Sequence, residues 1–519
     1  MSRNASPCLV PVSHANGVAL NAQLILEQKP TRQQQKLKTL TKYVHTYPSG
    51  WKKRLELAKL LYTMGQWPQA MHELSQVIDR HPQAMEARLL LGHLWQLTGN
   101  EQDAIALYEE SLTWVRDDAT RYHIAGLIAQ CQRCPHTTLR SFEKAALQEP
   151  SNSAHWLILG QVQSTLEMPW AAQRSFDVLL SLKPDDVTAL LHSYDTLLQL
   201  GQFNLAQQRL EQAQGIAPND FRVLMRFASR RCQQRLVSGK EGKTTLKLIR
   251  KVLQLAPQSA QAHHVLACYH IYRGEPDQGK AVLQQFVEHH PHHPHGWYYY
   301  AQVLFHLGDV QAAADAIMRC YQRGRCDHEI YRALCEILSA AGRLDPLRSI
   351  LREMLAAFPL SWSLWATAGR VLVEQFDNHE EGIAHSAKAM GLAPEQAAAW
   401  FAHGRVLMLA GQYAQAVEVF EQGWALGDNE ARSASVPAVV WLGESYGGLE
   451  QEASYRKWLQ LAVQLSENAD GDCAISHYWH GRALYGLGEI AEAREIYQQA
   501  LNHYLPYSLA IQVVALLSL

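Results

Sequence analysis

One feature of the amino-acid sequence constrains the fold more than any other. A pattern of small, aromatic, glycine and proline residues recurs along nearly the whole chain, and most copies begin 34 residues after the previous one, as at positions 119, 153 and 187. One copy contains Trp156, Leu159, Gly160, Ala172, Phe176 and Pro184. Because repeated units of this length stack on their neighbours, the sequence predicts one elongated array rather than several globular domains.

We number the places of a copy from its first residue. Each recurring place has a mechanical role in a pair of helices. Small residues at places 8 and 20, such as Gly160 and Ala172, let the two helices approach closely. A large residue at place 24, such as Phe176, fills the space beside them. Glycine at place 15, such as Gly308, can adopt the left-handed conformation that ends the first helix. Proline at place 32, such as Pro184, stops the second helix.

This set of positions resembles the tetratricopeptide repeat, a helix–turn–helix unit of 34 residues. The resemblance covers residues 17–506 and implies an all-α fold, an α-solenoid that winds as a right-handed superhelix of about fourteen units. A degenerate first unit occupies 17–50. The later units begin near residues 51, 85, 119, 153, 187, 221, 260, 294, 328, 362, 397, 436 and 474.

Four segments depart from the regular repeat. Residues 1–16 are expected to form a flexible N-terminal tail, and inserted residues 238–243 to lengthen the turn inside one unit. An insertion and two adjacent glycines are expected to loosen the region 427–450. Residues 507–519 are apolar at helical spacing and are predicted to form a C-terminal capping helix. The alternative is that this segment docks on a partner or on a second copy of the chain, which would give a homo-oligomer.

Composition and charge exclude several classes of function. The chain is 47% hydrophobic and 18% charged with a formal net charge of -2, so no overall field favours nucleic acid as a partner. The sequence shows neither a run of apolar residues long enough to span a membrane nor the basic and apolar regions of a signal peptide. Its nine cysteines are scattered and odd in number, which is typical of reduced thiols. We therefore expect a cytoplasmic protein.

Candidate binding residues follow from the resemblance, which implies that the first helix of each unit lines a concave groove. Places 2, 5, 9, 12 and 13 of that helix point into the groove in the family. The residues selected in this way are Arg332, Arg370, Arg405, Arg482, Tyr298, Phe401, Tyr478, Tyr485, His264 and His295. Arginine forks can bind carboxylates, and aromatic side chains can anchor a protein segment. The alternative is that the arginines and the interleaved Glu336, Glu374 and Glu444 neutralise each other as a solvated face.

Other chemistries find less support in the sequence. No three consecutive repeats supply the lysine and asparagine pattern of the chaperone-type carboxylate clamp found in this family. The histidine-rich stretch 289–295 and the Cys131/Cys134 pair contain potential metal ligands, but both lie at turns of the repeat and lack a further shell of ligands. The segment 239–245 lacks the spacing and the strand of a phosphate-binding loop. We expect neither a metal nor a cofactor.

The predicted function is a non-catalytic scaffold or adaptor that binds segments of partner proteins in the groove. One alternative is a substrate-holding or regulatory subunit of a separate enzyme or secretion complex. Another is a structural protein that assembles with itself. No convergent nucleophile or acid–base set is apparent, so the sequence favours a protein that is not an enzyme.

Overall fold

The computed structural model describes most of the chain as helices joined by turns. The described residues are 32–63, 66–98, 100–323, 326–426, 436–467, 474–502, 505 and 507–518. Within them the chain forms twenty-eight α-helices and no strand, which confirms the predicted all-α fold. The predicted tail 1–16, the first part of the unit 17–50 and residues 427–435 lie outside the described residues.

The first ten helices extend from residue 32 to residue 199. They are α1 Arg32–Thr46, α2 Trp51–Thr63, α3 Trp67–Arg80, α4 Met85–Leu97, α5 Glu101–Leu112, α6 Asp118–Cys131, α7 Pro135–Gln148, α8 Ser153–Thr165, α9 Pro169–Leu182 and α10 Val187–Gln199.

The remaining eighteen helices reach residue 518. They are α11 Phe203–Ile216, α12 Phe221–Gln233, α13 Gly239–Leu255, α14 Ala260–Tyr272, α15 Pro276–His289, α16 Pro294–His306, α17 Val310–Arg323, α18 His328–Ala340, α19 Leu344–Ala357, α20 Trp362–Phe376, α21 His379–Leu392, α22 Ala397–Leu409, α23 Tyr413–Leu426, α24 Val436–Gly448, α25 Glu452–Glu467, α26 Ala474–Leu487, α27 Ile490–Asn502 and α28 Tyr507–Ser518.

The helices from α2 to α27 form thirteen pairs of a first and a second helix, and each pair corresponds to one predicted repeat. Most helices pack against the next one in the chain, and many first helices also pack against the first helix of the following pair. This is the packing of an α-solenoid, as predicted. The described chain divides into two compact units. One holds the described residues up to Leu166 with Ala171–Ala189, and the other holds Glu167–Trp170 and the residues from Leu190 onward.

The first helix of most pairs ends at a left-handed residue, as place 15 predicts. Gly308 has a φ of 86°, and glycine fills this place in five other described repeats. Where glycine is absent, the same conformation persists, as in Glu450 with a φ of 58° and Arg133 with a φ of 56°. A left-handed conformation costs about 1–2 kcal/mol in a residue that has a Cβ atom, so the packing of the repeat imposes it.

Places 8 and 24 are matched in size within most of the described repeats. A Cβ atom added to Gly160 would lie 2.5 Å from Cε1 of Phe176, so only glycine fits beneath that ring. The same contact joins Gly92 to Tyr108, Gly126 to Phe142, Gly404 to Phe420 and Gly481 to Tyr497. Where place 8 is alanine, place 24 is aliphatic, as in Ala58 and Leu74, Ala228 and Ile249, Ala267 and Leu283, and Ala301 and Ile317.

A tryptophan at place 4 ties several repeats to the turn that precedes them. The indole N–H of Trp400 donates a hydrogen bond to the carbonyl oxygen of Pro394 at 2.8 Å. The same bond joins Trp156 to Pro150, Trp297 to Pro291 and Trp365 to Pro359. Where place 4 is Arg88, its guanidinium donates to the carbonyl oxygen of Pro82 instead. These bonds satisfy a carbonyl in the turn that follows the preceding helix.

The insertion at 238–243 changes the repeat differently from the prediction. Most of the inserted residues do not form a longer turn but extend the second helix, because α13 begins at Gly239. The hydroxyl of Tyr269 donates to the carbonyl oxygen of Gly242 at 3.2 Å and holds the extension against α14. No helix in the described part of the chain is both long and apolar enough to cross a membrane.

Candidate protein-binding surface

Four side chains at place 9 of consecutive repeats lie on neighbouring first helices. They are Arg370 on α20, Arg405 on α22, Glu444 on α24 and Arg482 on α26. These first helices pack against one another in order, so residues at the same place lie side by side. We call these four residues the place-9 row.

One carboxylate is shared between the first two arginines of the row. Glu374 lies four residues after Arg370 on α20, so the two side chains share a face of the helix. Arg370 Nη1 donates to Glu374 Oε2 at 2.6 Å, and Arg405 Nη2 donates to Glu374 Oε1 at 3.2 Å. Glu374 therefore lies between two guanidinium groups and neutralises only one of them.

The other end of the row is a complete ion pair. Arg482 Nε and Nη2 donate to the two carboxylate oxygens of Glu444 at 2.6 and 3.0 Å, which is bidentate geometry. Arg482 Nη1 also donates to the hydroxyl of Tyr478 at 2.9 Å. That hydroxyl in turn donates to Gln512 Oε1 on α28 at 2.6 Å. The pair is thus connected to the C-terminal helix.

The pKa values of Arg405 and Arg482 shift in opposite directions. Burial lowers the pKa of Arg405 to about 10, and the charge of Arg370 adds to the effect more strongly than Glu374 opposes it. Burial also opposes the charge of Arg482, but the charge and hydrogen bonds of Glu444 outweigh it and raise the pKa of Arg482. Arg405 remains protonated at neutral pH but lacks a full counter-charge.

Two tryptophans border these guanidinium groups. The guanidinium carbon of Arg405 lies 4.9 Å from the ring centre of Trp441, and that of Arg482 lies 5.6 Å from the ring centre of Trp479. The two indole rings meet edge to face with their centres 5.4 Å apart. The sequence prediction includes neither tryptophan. A signal exists nonetheless, because both occupy place 6 and lie three residues before place 9 on the same helix face.

Family models support the repeat assignment directly. Models described as tetratricopeptide repeat match residues 55–120, 264–324, 397–422 and 476–504. The chain contains tetratricopeptide repeats. The resemblance predicted from the recurring positions is therefore confirmed.

Solved structures similar to this chain share little sequence identity with it. YrrB, a TPR protein with an unusual peptide-binding site, is 15% identical with a TM-score of 0.23, and the similarity covers 36% of this chain and 97% of YrrB. A chain of the APC/C hetero-tetramer Cut9-Hcn1 is 15% identical with a TM-score of 0.37, and the similarity covers 92% of this chain and 98% of that chain. Yeast Tom70 is 12% identical with a TM-score of 0.40, and the similarity covers 79% of this chain and 95% of the Tom70 chain. No curated protein matches the sequence.

The repeats place three of the predicted binding residues in the interior. His264, Tyr298 and Tyr478 all occupy place 5, and none is more than 5% exposed. The ring of His264 stacks on Tyr299 of the next repeat with ring centres 4.5 Å apart, and the hydroxyl of Tyr298 accepts a hydrogen bond from Gln302 at 2.8 Å. Because these rings fill the junction between repeats, they support the surface of the first helices and are not exposed on it.

The other predicted residues lie at or near the surface. Arg332 is exposed, with Nη1 4.0 Å from Oε1 of Glu329, and His295 Nε2 lies 3.4 Å from Asp327 Oδ2. Phe401 and Tyr485 are half-buried. Hydrogen bonds therefore connect four of the ten predicted residues. Arg370 and Arg405 both bind Glu374, and Arg482 binds Tyr478.

The histidine-rich stretch 289–295 is engaged in the ends of two helices. His293 Nδ1 accepts a hydrogen bond from the backbone N–H of Gly296 at 3.2 Å and so caps α16. His289 Nδ1 lies 2.7 Å from the carbonyl oxygen of Gln285 on α15. Across the described residues, histidine, cysteine, aspartate and glutamate side chains nowhere form a group of three or more suited to a metal ion.

Proposed function

We propose that this protein is a non-catalytic scaffold or adaptor that binds segments of partner proteins on the first helices of its C-terminal repeats. The place-9 row carries the proposal, because two of its arginines, Arg405 and Arg482, adjoin the indole rings of Trp441 and Trp479. Charged forks beside aromatic rings are typical of the residues that dominate protein interfaces. Tetratricopeptide repeats are in general scaffolds for protein–protein interaction, which agrees with this proposal.

The cytoplasm is the compartment that we propose for this activity. All seven cysteines in the described residues carry free thiols. Burial raises the pKa of the Cys335 thiol to about 12 and also raises the pKa of the Cys232 thiol, so both thiols stay protonated and unreactive at neutral pH. Unpaired thiols in this number fit a reducing compartment.

Affinity purification from the native cell at moderate salt, followed by mass spectrometry, tests the proposal. The tagged wild-type chain is expected to recover a partner in fixed stoichiometry, and a triple variant with Arg370, Arg405 and Arg482 changed to Glu is expected to lose it. Recovery of an enzyme as that partner would identify the protein as a substrate-holding or regulatory subunit. Recovery of the chain alone as a monomer would refute the scaffold proposal.

A matched control distinguishes an effect of the place-9 arginines from an effect of the changed net charge. Arg250, Arg352 and Arg494 are exposed on second helices, and changing them to Glu alters the net charge by the same amount. This control is expected to retain the partner. A triple Gln variant of the place-9 arginines avoids new repulsion with Glu374 and Glu444, and circular dichroism checks that each variant keeps its helices. Equal loss in the control and the place-9 variant would contradict the assignment of the surface.

Self-association through α28 is a second proposal, favoured by one observation. Val513 is buried against the C-terminal core, while Ile511 and Val514 on the same helix are 49% and 57% exposed. The exposed apolar side chains could pack on a second copy. Light scattering of the full chain and of Ile511→Glu/Val514→Glu tests this, with Leu147→Glu as an exposed control on α7. A monomer at every concentration for the wild type excludes it.

A further inference from the structure

We infer that Arg370 and Arg405 together bind the carboxylate of an acidic side chain in the partner segment. The inference rests on the proposed function and specifies the chemistry of the partner at that surface. Its basis is an imbalance of charge within the place-9 row and Glu374, which contain three guanidinium groups and two carboxylates.

The imbalance lies at one end of the row. Glu444 directs both of its oxygens to Arg482, so that arginine is neutralised by its own partner. Glu374 divides its oxygens between Arg370 and Arg405. One net positive charge therefore resides on the Arg370–Glu374–Arg405 cluster.

The cluster is poorly solvated, which makes the imbalance costly in the free protein. The side chains of Arg370, Glu374 and Arg405 are 27%, 22% and 35% exposed. A guanidinium in such surroundings feels the charge of a neighbouring guanidinium more strongly than it would in water. The lowered pKa of Arg405 agrees with this description. An added anion would remove the repulsion and supply the missing counter-charge.

The geometry of Arg405 leaves donors for such an anion. A guanidinium has five N–H donors, and the contact of Arg405 with Glu374 uses one of them at 3.2 Å. The ring centre of Trp441 lies 4.9 Å from the guanidinium carbon, and a carboxylate that approaches in the guanidinium plane can bind two N–H groups at once. Trp441 also offers apolar surface to a residue next to the acidic one.

Neighbouring ionisable groups do not cancel the positive charge. Glu336 occupies place 9 of the preceding repeat, on α18, and is exposed to solvent. Cys335 beside it is buried, and its raised pKa keeps it neutral. Glu444, at place 9 of the following repeat, is already paired with Arg482. Among the described residues, no carboxylate other than Glu374 pairs with Arg405, so a carboxylate of another molecule can supply the missing counter-charge.

Peptide binding measured by fluorescence anisotropy tests the inference with the full chain. The probe is a short labelled peptide of alternating Glu and Leu with an amidated C-terminus, and its Gln counterpart is the reference. The wild type is expected to bind the Glu peptide at least tenfold more tightly, since a hydrogen bond to a charged group typically changes affinity by about that factor. Arg370→Gln and Arg405→Gln are each expected to remove most of this preference.

Two further variants sharpen the test. Glu374→Gln removes the competing carboxylate, so it is expected to strengthen binding of the Glu peptide by about threefold to tenfold. Arg352→Gln, an exposed arginine on α19, is the matched control and is expected to leave the affinity unchanged. Weaker binding after Glu374→Gln would overturn the inference, because it would show that Glu374 organises the site and does not compete for it.

The outcomes also distinguish this inference from the proposed function. If the Glu and Gln peptides bind equally while the triple Glu variant still loses its cellular partner, the carboxylate assignment is wrong and the scaffold proposal stands. If a peptide with a free C-terminal carboxylate or a phosphoserine is the only one that binds, the anion does not come from an acidic side chain and the inference is also wrong. If the cellular partner is retained by the triple variant, both fail.

Discussion

Replacing Gly160 with Ala tests the size matching between places 8 and 24. The new Cβ atom would lie 2.5 Å from Cε1 of Phe176 and 2.8 Å from two further ring atoms. Carbon atoms in contact prefer about 3.5–4.0 Å, so the ring or the helix must move by about 1 Å. Phe176 has no exposed surface and cannot swing into solvent.

The expected cost follows from this displacement. Adding a methyl group to a filled core typically costs about 1–3 kcal/mol, and we expect Gly160→Ala to lie near 3 kcal/mol because the helix backbone on one side cannot yield. Phe176→Leu alone leaves a cavity and is expected to cost about 1–2 kcal/mol. The double variant recreates the Ala and Leu pair of Ala267 and Leu283, so its cost should approach that of Phe176→Leu alone. The magnitude of the coupling energy is then about 3 kcal/mol.

Urea denaturation followed by circular dichroism measures these values. Because an array of repeats can unfold in more than one step, the midpoint and slope of each transition are compared among the four proteins. Gly215→Ala on α11 is the control: no atom lies within 4 Å of its added Cβ, so it is expected to stabilise the helix by about 0.5–1 kcal/mol. Additive costs for Gly160→Ala and Phe176→Leu would refute the size matching.

Three further predictions concern single features of the repeats. Glu450→Gly should raise the stability by about 1 kcal/mol in thermal unfolding, because glycine tolerates the left-handed φ of 58°, whereas Gly308→Ala should lower it by a similar amount. Trp400→Phe should cost about 1 kcal/mol because the carbonyl of Pro394 loses its donor, whereas Trp170→Phe at an exposed position should change the stability by less than about 0.5 kcal/mol. Burial lowers the pKa of His264 to about 4, with the nearby His306 adding to the effect, while the unfolded chain has a pKa of about 6.5. Stability from this residue is thus complete above pH 6.5 and is lost as the pH falls towards 4, by about 3 kcal/mol, and His264→Gln should flatten urea midpoints measured across this range.

The repeat could be predicted from the sequence because its signals are local. Place 15 determines where a first helix ends, and the steric reason acts within one turn of chain, so Gly308 and Gly411 reveal their conformation directly. The insertion at 238–243 was harder to predict. Gly239 and Gly242 are typical of turns, yet α13 begins there because Tyr269 and the following repeat hold the segment in a helix. A tertiary contact overrides the local preference.

The candidate surface was predictable only in part, because its properties depend on contacts between repeats. The family pattern directs place 5 towards a groove, but a large ring at that place in this chain meets the next repeat, and His264 stacks on Tyr299. Place 5 is therefore interior at His264, where the following repeat offers Tyr299 as an aromatic partner. Its burial depends on the residue one repeat away, which the spacing of a single repeat does not encode.

The same reasoning applies to the charges of the place-9 row. In the sequence, Glu374 and Glu444 alternate with three arginines and could neutralise any of them. In the structure, the distances between repeats give Arg482 a complete partner and leave Arg370 and Arg405 to share one. The two ends of the row therefore differ: the Glu444 end is a neutralised pair, and the Glu374 end retains a net charge, while partner binding by these arginines stays a prediction. Within the place-9 row, the proposed recognition of an acidic partner therefore falls beside Arg405, not beside Arg482.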